Sequence, residues 1–314
     1  LITKQLEAES DATLEFIIRD LISEHDTREM ERGDSYYHNE NEILQRQIWL
    51  YDEHGNRRVD ETAVNRRVPH NWHKLLVDQK ANYLVGKPIA FSARNLTEEE
   101  KEASDDEEFA EKVNTILGED FDDSIWELCK GSSNKGVEWL HLYIDAENEL
   151  KYTVIDAMEF IPVWETRTQK ELVAGIRYYI VSVNGEDRIR AEYWTRDMVT
   201  YYQEDKNGEL KQEKEEGHFM YNGEWQSWGK VPFIPFKNNE EMVGDLQQYK
   251  ELVDSYDLNL SDLANNLESI QDAVWVLKNY AGQSLSEFNE NLRYYKALKV
   301  DGEGDAKTIT VEIP

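Results

Sequence analysis

The apolar positions of this chain change period three times. Over residues 11–31, Leu14, Ile17, Ile18, Leu21 and Ile22 fall on one helical face. Ser10 or Asp11 would cap that helix. A second, short helical stretch is predicted over 39–50, ahead of a turn at His54-Gly55-Asn56. Residues 70–85 predict a helix carrying Trp72, Leu75, Leu76, Tyr83 and Leu84. Gly86 and Pro88 stop it, and a strand is expected at Ile89–Ala93. Another helix is predicted over 121–135, with Phe121, Ile125, Leu128 and Cys129 inward and Gly136 at its end.

From 137 to 236 the pattern shortens to strands. Asn184-Gly185, Asn207-Gly208 and Asn222-Gly223 are hairpin turn signals. They separate β-rich runs at Gly175–Val183, Arg188–Trp194 and Met198–Gln203, which predicts an antiparallel meander. Then Met242, Leu246, Tyr249, Val253, Tyr256, Leu260, Leu263, Leu267 and Ile270 alternate by four and three residues. This unbroken heptad stripe predicts a rod of roughly 42 Å. Asp245, Glu251, Asp254, Asp257, Asp262 and Glu268 flank it against a single Lys250. Such a helix cannot bury its stripe alone and needs partner helices.

The last segment mixes short elements. Val274–Leu277 is a strand candidate and Ser286–Tyr295 a helix with Ser286 as cap. Leu298–Val300 and Thr308–Ile313 are strand candidates around a Gly302–Gly304 turn. Strands this short, with no evident sheet of their own, are predicted to pair with another chain.

Composition narrows the class. A chain of 314 residues with 39% hydrophobic side chains, nine Trp and seventeen Tyr can build a core, so disorder is excluded. One large domain or two to three smaller ones are expected. The net charge of −30 repels phosphate, which excludes a generic nucleic-acid binder. One cysteine, Cys129, excludes an internal disulfide and a cysteine zinc cluster, and a reducing, cytosolic origin is expected. No apolar run reaches the length of a membrane span, and the N-terminal segment reads as a polar helix rather than a signal peptide. A start at Leu1 suggests a fragment.

Chemistry is sparse. The chain holds no phosphate-binding glycine loop, no dinucleotide fingerprint and no nucleophile elbow. His70 and His73, three apart, could share a metal, but no third ligand is in view; one packed and one exposed histidine are expected. The acidic run over 97–111 reads as a solvated face. Cys129 reads as an inert thiol, and Trp225 and Trp228 as core. Arg57, Arg58, Arg66 and Arg67 form the one compact basic patch, read chiefly as partners for the surplus carboxylates and secondarily as phosphate contacts. No catalytic residue, metal site or cofactor is expected.

Several blocks resemble one family. They are His70-Asn71-Trp72-His73-Lys74-Leu75-Leu76 through Lys87-Pro88, Asp120-Phe121-Asp122-Asp123 with Ser133-Asn134-Lys135-Gly136, and Trp228-Gly229-Lys230-Val231-Pro232-Phe233 through Met242-Val243. Val276-Leu277-Lys278-Asn279-Tyr280 and Asn291-Leu292-Arg293-Tyr294 follow in the same order. The chain resembles the portal proteins of Bacillus-type siphophages, the head-to-tail connectors of tailed phages. The resemblance implies an α+β portal fold: a mixed wing domain with an antiparallel β-meander over 1–237, a first stem helix over 238–271 and a small α/β clip domain over 272–314. The second stem helix, tunnel loop and crown are then absent. It further implies a homo-oligomeric ring, typically of twelve subunits, at the capsid vertex of the virion, assembled in the host cytoplasm. DNA would pass through the channel without sequence specificity. The terminase motor, head-completion proteins, capsid and scaffolding proteins are the implied partners, and no membrane is involved. The stripe would be the stem-packing seam, and the acidic residues would face the channel or neighbouring subunits. Two other readings compete: an acidic metal-dependent hydrolase or nuclease using clustered carboxylates, and a coiled-coil adaptor whose long helix takes a foreign partner.

Overall fold

A computed structural model of the chain describes residues 11–51, 54–61, 63–91, 106–118, 120–165, 171–183, 185–271, 275–278 and 305–308. In chain order the elements are helices α1 (Asp11–Glu24) and α2 (Arg28–Tyr37), strands β1 (Trp49–Tyr51) and β2 (Arg57–Val59), and helices α3 (Trp72–Val85), α4 (Asp106–Leu117) and α5 (Phe121–Lys135). Strands β3 (Val137–Ile144), β4 (Leu150–Ile155), β5 (Phe160–Trp164), β6 (Leu172–Val183), β7 (Glu186–Trp194), β8 (Met198–Glu204) and β9 (Leu210–Gly217) follow. Then come β10 (Phe219–Tyr221), β11 (Glu224–Gln226), β12 (Phe233–Lys237), helix α6 (Leu246–Gln271), and strands β13 (Trp275–Lys278) and β14 (Asp305–Thr308). The fold is mixed α+β with antiparallel sheets, as the resemblance implies. Two compact units share the chain: Leu1–Glu40 with Asn71–Lys250, and Asn41–His70 with Glu251–Pro314. Residues 41–70, expected within the first domain, thus group with the body of the long helix.

In the first unit, strands β5 to β9 form a five-stranded meander in sequence order, and β12-β3-β4 form a three-stranded sheet. The turn signals at Asn207-Gly208 and Asn222-Gly223 fall between paired strands as expected, while Asn184 lies outside the described residues. Asn222 and Gly223 take φ of 52° and 82°, the left-handed pair that joins β10 to β11. Val137, Trp139, Ile155, Phe160, Trp194, Val199 and Phe233 form one core cluster drawn from both sheets. Trp139 and Phe160 pack with ring centroids 4.4 Å apart, and both are fully buried. The Phe160 ring occupies the space where a side chain on Gly175 would stand, so that strand position takes glycine. On the five-stranded sheet, α1 lays Ile18 against Val163, Ile176, Tyr193 and Tyr202. On the three-stranded sheet, α5 buries Ile125 and Leu128 against Leu140. Each such side chain contributes about 2 kcal/mol of burial.

Several expectations need correction. The helix expected over 11–31 is two helices: at the break, Asp26 accepts from the Arg28 backbone N–H at 3.2 Å and His25 Nδ1 lies 2.8 Å from the Tyr178 hydroxyl. Residues 39–50 form a 3-10 turn at Glu42–Gln45 and then a strand, because Trp49–Tyr51 finds its hydrogen bonds on Arg57–Val59. Residues 88–91 form no strand, and 92–93 lie outside the described residues. Trp225 is exposed, while Trp228 is half-buried against Phe219. Of the last segment, β13, at the expected strand 274–277, pairs with β14, which meets the expected strand 308–313 only at Thr308, while the expected strand 298–300 and residues 309–313 lie outside the described residues. The helix at Ser286–Tyr295 and the acidic run's first residues fall outside the described residues.

The start of the long helix is also later than the stripe suggests. Met242 is not helical: its φ is 54°. The loop before α6 is laced to the C-terminal end of α5, with Asn238 N–H donating to Gly136 O at 2.9 Å and Asp245 N–H to Ser133 O at 2.8 Å. Asn239 brackets the turn, its side chain bonding both Val243 N–H and Val243 O. Met242 therefore packs against the core of the first unit rather than in a stem seam.

Candidate assembly and channel surfaces

Helix α6 carries two seams that part at Val253. Leu246 and Val253 are buried, but the heptad stripe beyond them turns outward: Tyr256, Leu263 and Leu267 are 40%, 52% and 57% exposed. Leu260 is half-buried. Burial instead follows a spacing of four, through Asp257, Ser261 and Asn265. At 100° per residue the two rows diverge by about a third of a turn.

The polar row holds the extended segment 65–70 of the same unit. Val68 precedes Pro69, which keeps it out of the helical region and leaves its N–H without a helical partner. Ser261 Oγ accepts that N–H at 3.0 Å, and Asn265 Oδ1 accepts the Arg66 N–H at 2.6 Å. Asp257, fully buried, accepts from Asn41 Nδ2 at 2.6 Å through one oxygen and meets His70 Nδ1 at 2.9 Å through the other. The His70 ring stands edge-on to Tyr256 at 4.7 Å. Asp262 pairs with Arg46 at 2.7 Å, and Glu268 pairs with Arg66.

These contacts redistribute the expected site residues. Of the acidic set, Asp257, Asp262 and Glu268 are engaged within their own unit. Asp245 sits with Lys80 at 2.7 Å and Asn238 at 2.8 Å in the first unit. Burial removes Asp257 from any channel wall. Asp254 is half-buried and has a partner, and Glu251 is exposed. Ile270's side chain falls outside the described residues. The basic patch divides as well. Arg66 and Arg67 lie along the segment facing α6, Arg67 donating to Leu44 O at 2.6 Å. Arg57 and Arg58 lie in β2, where Arg57 stacks over the Trp49 ring at 4.7 Å.

In the first unit, α3 shows two faces. His73, Val77 and Ala81 are buried. Tyr249, in the first turns of α6, lies 2.8 Å from His73 Nδ1 through its hydroxyl. Burial holds His73 down at about 4 and pushes the Tyr249 phenol up. The other face carries Leu75, Leu76 and Tyr83, all exposed, Tyr83 at 89%. The sequence signalled the helix but not that its large apolar residues point outward.

Buried charge elsewhere is structural. Lys135 Nζ reaches Glu138 at 2.7 Å and Asp156 at 2.9 Å, and Ala157 N–H donates to Glu138 at 2.9 Å. Burial, opposed by Lys135, raises the Glu138 carboxyl to about 7. Burial also lowers His141 to about 4. A cleft of about 870 Å³ opens beside β3 and the β10–β11 hairpin. Its inner carboxylates are committed: Glu192 accepts from Trp194 Nε1 at 3.0 Å beside Arg177 at 3.5 Å, and Asp145 accepts the N–H groups of Glu147 and Glu149. Among the described residues no three His, Cys, Asp or Glu side chains are placed to hold a metal ion, and no helix is long and apolar enough to cross a membrane.

Residues 19–314 match the family described as phage portal protein, SPP1 Gp6-like. The chain is 40% identical over 314 residues to the portal protein of Bacillus phage SPP1, covering 98% of this chain and 59% of that protein. It is 34% identical over 320 residues to the portal protein of Clostridium phage phiCD119, covering 95% of this chain and 66% of that protein. The chain thus spans about three fifths to two thirds of the length of these relatives.

Proposed function

The chain belongs to the SPP1-type phage portal protein family, and from that premise we propose that it is a structural subunit of the ring at the capsid vertex through which viral DNA is packaged and ejected. The observation that carries this reading is the split of α6 into a polar seam already filled by its own unit and a leucine row still open to solvent. A helix that satisfies its polar groups internally while exposing Tyr256, Leu263 and Leu267 is built to pack against further helices. In the ring those are stem helices of the same and neighbouring subunits.

The acidic balance suits a conduit. Cationic walls would bind phosphates by counterion release and brake a sliding polyanion; a wall of net negative charge removes that brake. Screening confines the repulsion to about 8 Å at physiological salt. Glu251 is the acidic stem residue best placed for the channel or an intersubunit pair. Residues up to about 237, apart from the 41–70 segment that packs along α6, are assigned to the wing, α6 to the first stem helix, and 272–314 to the clip, on which the packaging motor and head-completion proteins would dock. The family's role is structural, and no catalytic step is assigned to the chain; the cleft's inner carboxylates, Glu192 and Asp145, serve local hydrogen bonds.

Electron microscopy of the full-length protein tests this reading. Closed rings with α6 lining or bracing a central channel are expected. Monomers at assembly concentrations, or rings with α6 on the outer rim, would overturn it.

A further inference from the structure

The same dipeptide turns two hairpins of the first unit under opposite conditions. Asn207-Gly208 lies between β8 and β9, and Asn222-Gly223 joins β10 to β11. The first turn is held from several sides. Its strands are paired from Met198–Gly217 to Glu204–Leu210 within the five-stranded sheet. The Asn207 N–H donates to Asp205 Oδ1 at 2.7 Å, and the Gly208 N–H donates to Asp205 O at 3.1 Å. The Glu209 N–H reaches the same carboxylate oxygen at 3.0 Å, and the Glu209 side chain pairs with Arg19 of α1 at 2.8 Å.

The second turn is bare. Its strands pair only from Phe219–Gln226 to Tyr221–Glu224, and a two-stranded ribbon that short is marginal in water. The Phe219 ring anchors its base against Trp228 at 4.7 Å, but Met220, Tyr221, Asn222, Gly223 and Trp225 are exposed. Among the described residues, neither the Asn222 side chain nor the Gly223 N–H has a hydrogen-bond partner.

We propose that Asn222 is a site of spontaneous covalent modification, deamidation through a cyclic imide, and that the fold protects Asn207 from the same reaction. The Gly223 nitrogen gives up its proton to hydroxide and bonds to the side-chain carbonyl carbon of Asn222. The side-chain carbon–nitrogen bond breaks, and ammonia leaves carrying a proton in place of the one lost. Water then opens the imide at either carbonyl, giving aspartate or a β-linked isoaspartate. The net change consumes one water, releases one ammonia and needs no oxidant. Glycine favours the step because no side chain obstructs the approach of its nitrogen. Ring closure requires rotation about the Asn222 backbone and side chain, so the rate follows how often the turn opens. Opening is easy at a short, solvent-exposed tip and costly in a laddered sheet. The β-linked product adds a methylene to the backbone of a two-residue turn whose closure depends on its left-handed pair. Met220 and Trp225, which pair across the hairpin and line the cleft beside β3, then lose that pairing.

The test follows both asparagines in full-length protein, kept as dissociated subunits in mildly alkaline buffer, by peptide mass spectrometry over a time course. In the folded protein Asn222 is expected to convert about tenfold faster than Asn207 or more, and in concentrated urea the two rates should converge. Conversion of Asn207 at or above the Asn222 rate in the folded protein would overturn the proposal. So would an Asn222 that stays intact while the urea-unfolded chain is converted. A gap that persists undiminished in urea would overturn it as well, because the flanking residues rather than the fold would then set the difference.

Discussion

Asp257 and Asn41 lie 2.6 Å apart, oxygen to amide nitrogen, although 216 residues of chain separate them. Both are buried, Asp257 completely. The bond fastens the start of the 41–70 segment to the middle of α6, and His70 grips the other carboxylate oxygen from the segment's far end. One carboxylate thereby fixes both ends of the segment to the helix.

Asp257→Ala should lower stability by about 2–4 kcal/mol, because it leaves the Asn41 amide and the His70 ring without their buried partner. Guanidinium unfolding measures it. A loss under about 0.5 kcal/mol would mean that the seam does not hold the segment.

The leucine row should behave in the opposite way. Leu263→Asp with Leu267→Asp changes residues that are half exposed in the single chain, so monomer stability should move by no more than about 0.5 kcal/mol. Ring assembly of the full-length protein should be lost. Sedimentation distinguishes the outcomes, and intact rings would strip the row of its assigned role.

Gly136 closes α5 at a φ of 93°, and a Cβ there would fall 2.1 Å from Met242 O. Gly136→Ala should therefore cost about 2–4 kcal/mol, from the left-handed backbone and from displacing the loop that precedes α6. Thermal unfolding gives the value. A neutral result would show that the loop is not fixed against α5.

The pH dependence has opposing parts. His73 and His141 each titrate near 4, below the unfolded value of 6.5. Their contribution is present above 6.5 and is lost as pH falls from there toward 4, up to about 3 kcal/mol each. Glu138 is raised from 4.5 to about 7, so its contribution is full below 4.5 and is lost as pH rises toward 7. Acidification from 7 to 4.5 should thus lower the melting temperature, with Glu138 partly offsetting the histidines. Glu138→Gln removes the offset and should steepen the fall. An unchanged slope would contradict the assignment.

Much of this was legible in the sequence for physical reasons. Period-two runs between Asn-Gly turns specify a meander almost locally, and the helix ending at Gly136 carries its own stop. The family blocks fixed the class. The partition of α6 was not legible, because hydropathy ranks Asp257, Ser261 and Asn265 as solvent-facing. Their burial depends on partners about 200 residues away, Asn41 and His70 for Asp257 and the N–H groups of Val68 and Arg66 for Ser261 and Asn265, and only the Val68-Pro69 pair hinted that this segment stays extended. The outward face of α3 was hidden for a related reason: Leu75 and Tyr83 look like core until His73 and Ala81 are seen to occupy the inner side. The onset of α6 was misjudged by one turn because Met242 continues the apolar spacing while Asn239 and the end of α5 impose a turn.

Cysteine labelling at Leu263 tests the central claim most directly. In full-length protein carrying Cys129→Ser and Leu263→Cys, the new thiol should react quickly in dissociated subunits and be strongly protected in assembled rings. Equal reactivity in both states would show that the leucine row of α6 stays in water when the ring forms, and the account of the stem would be wrong.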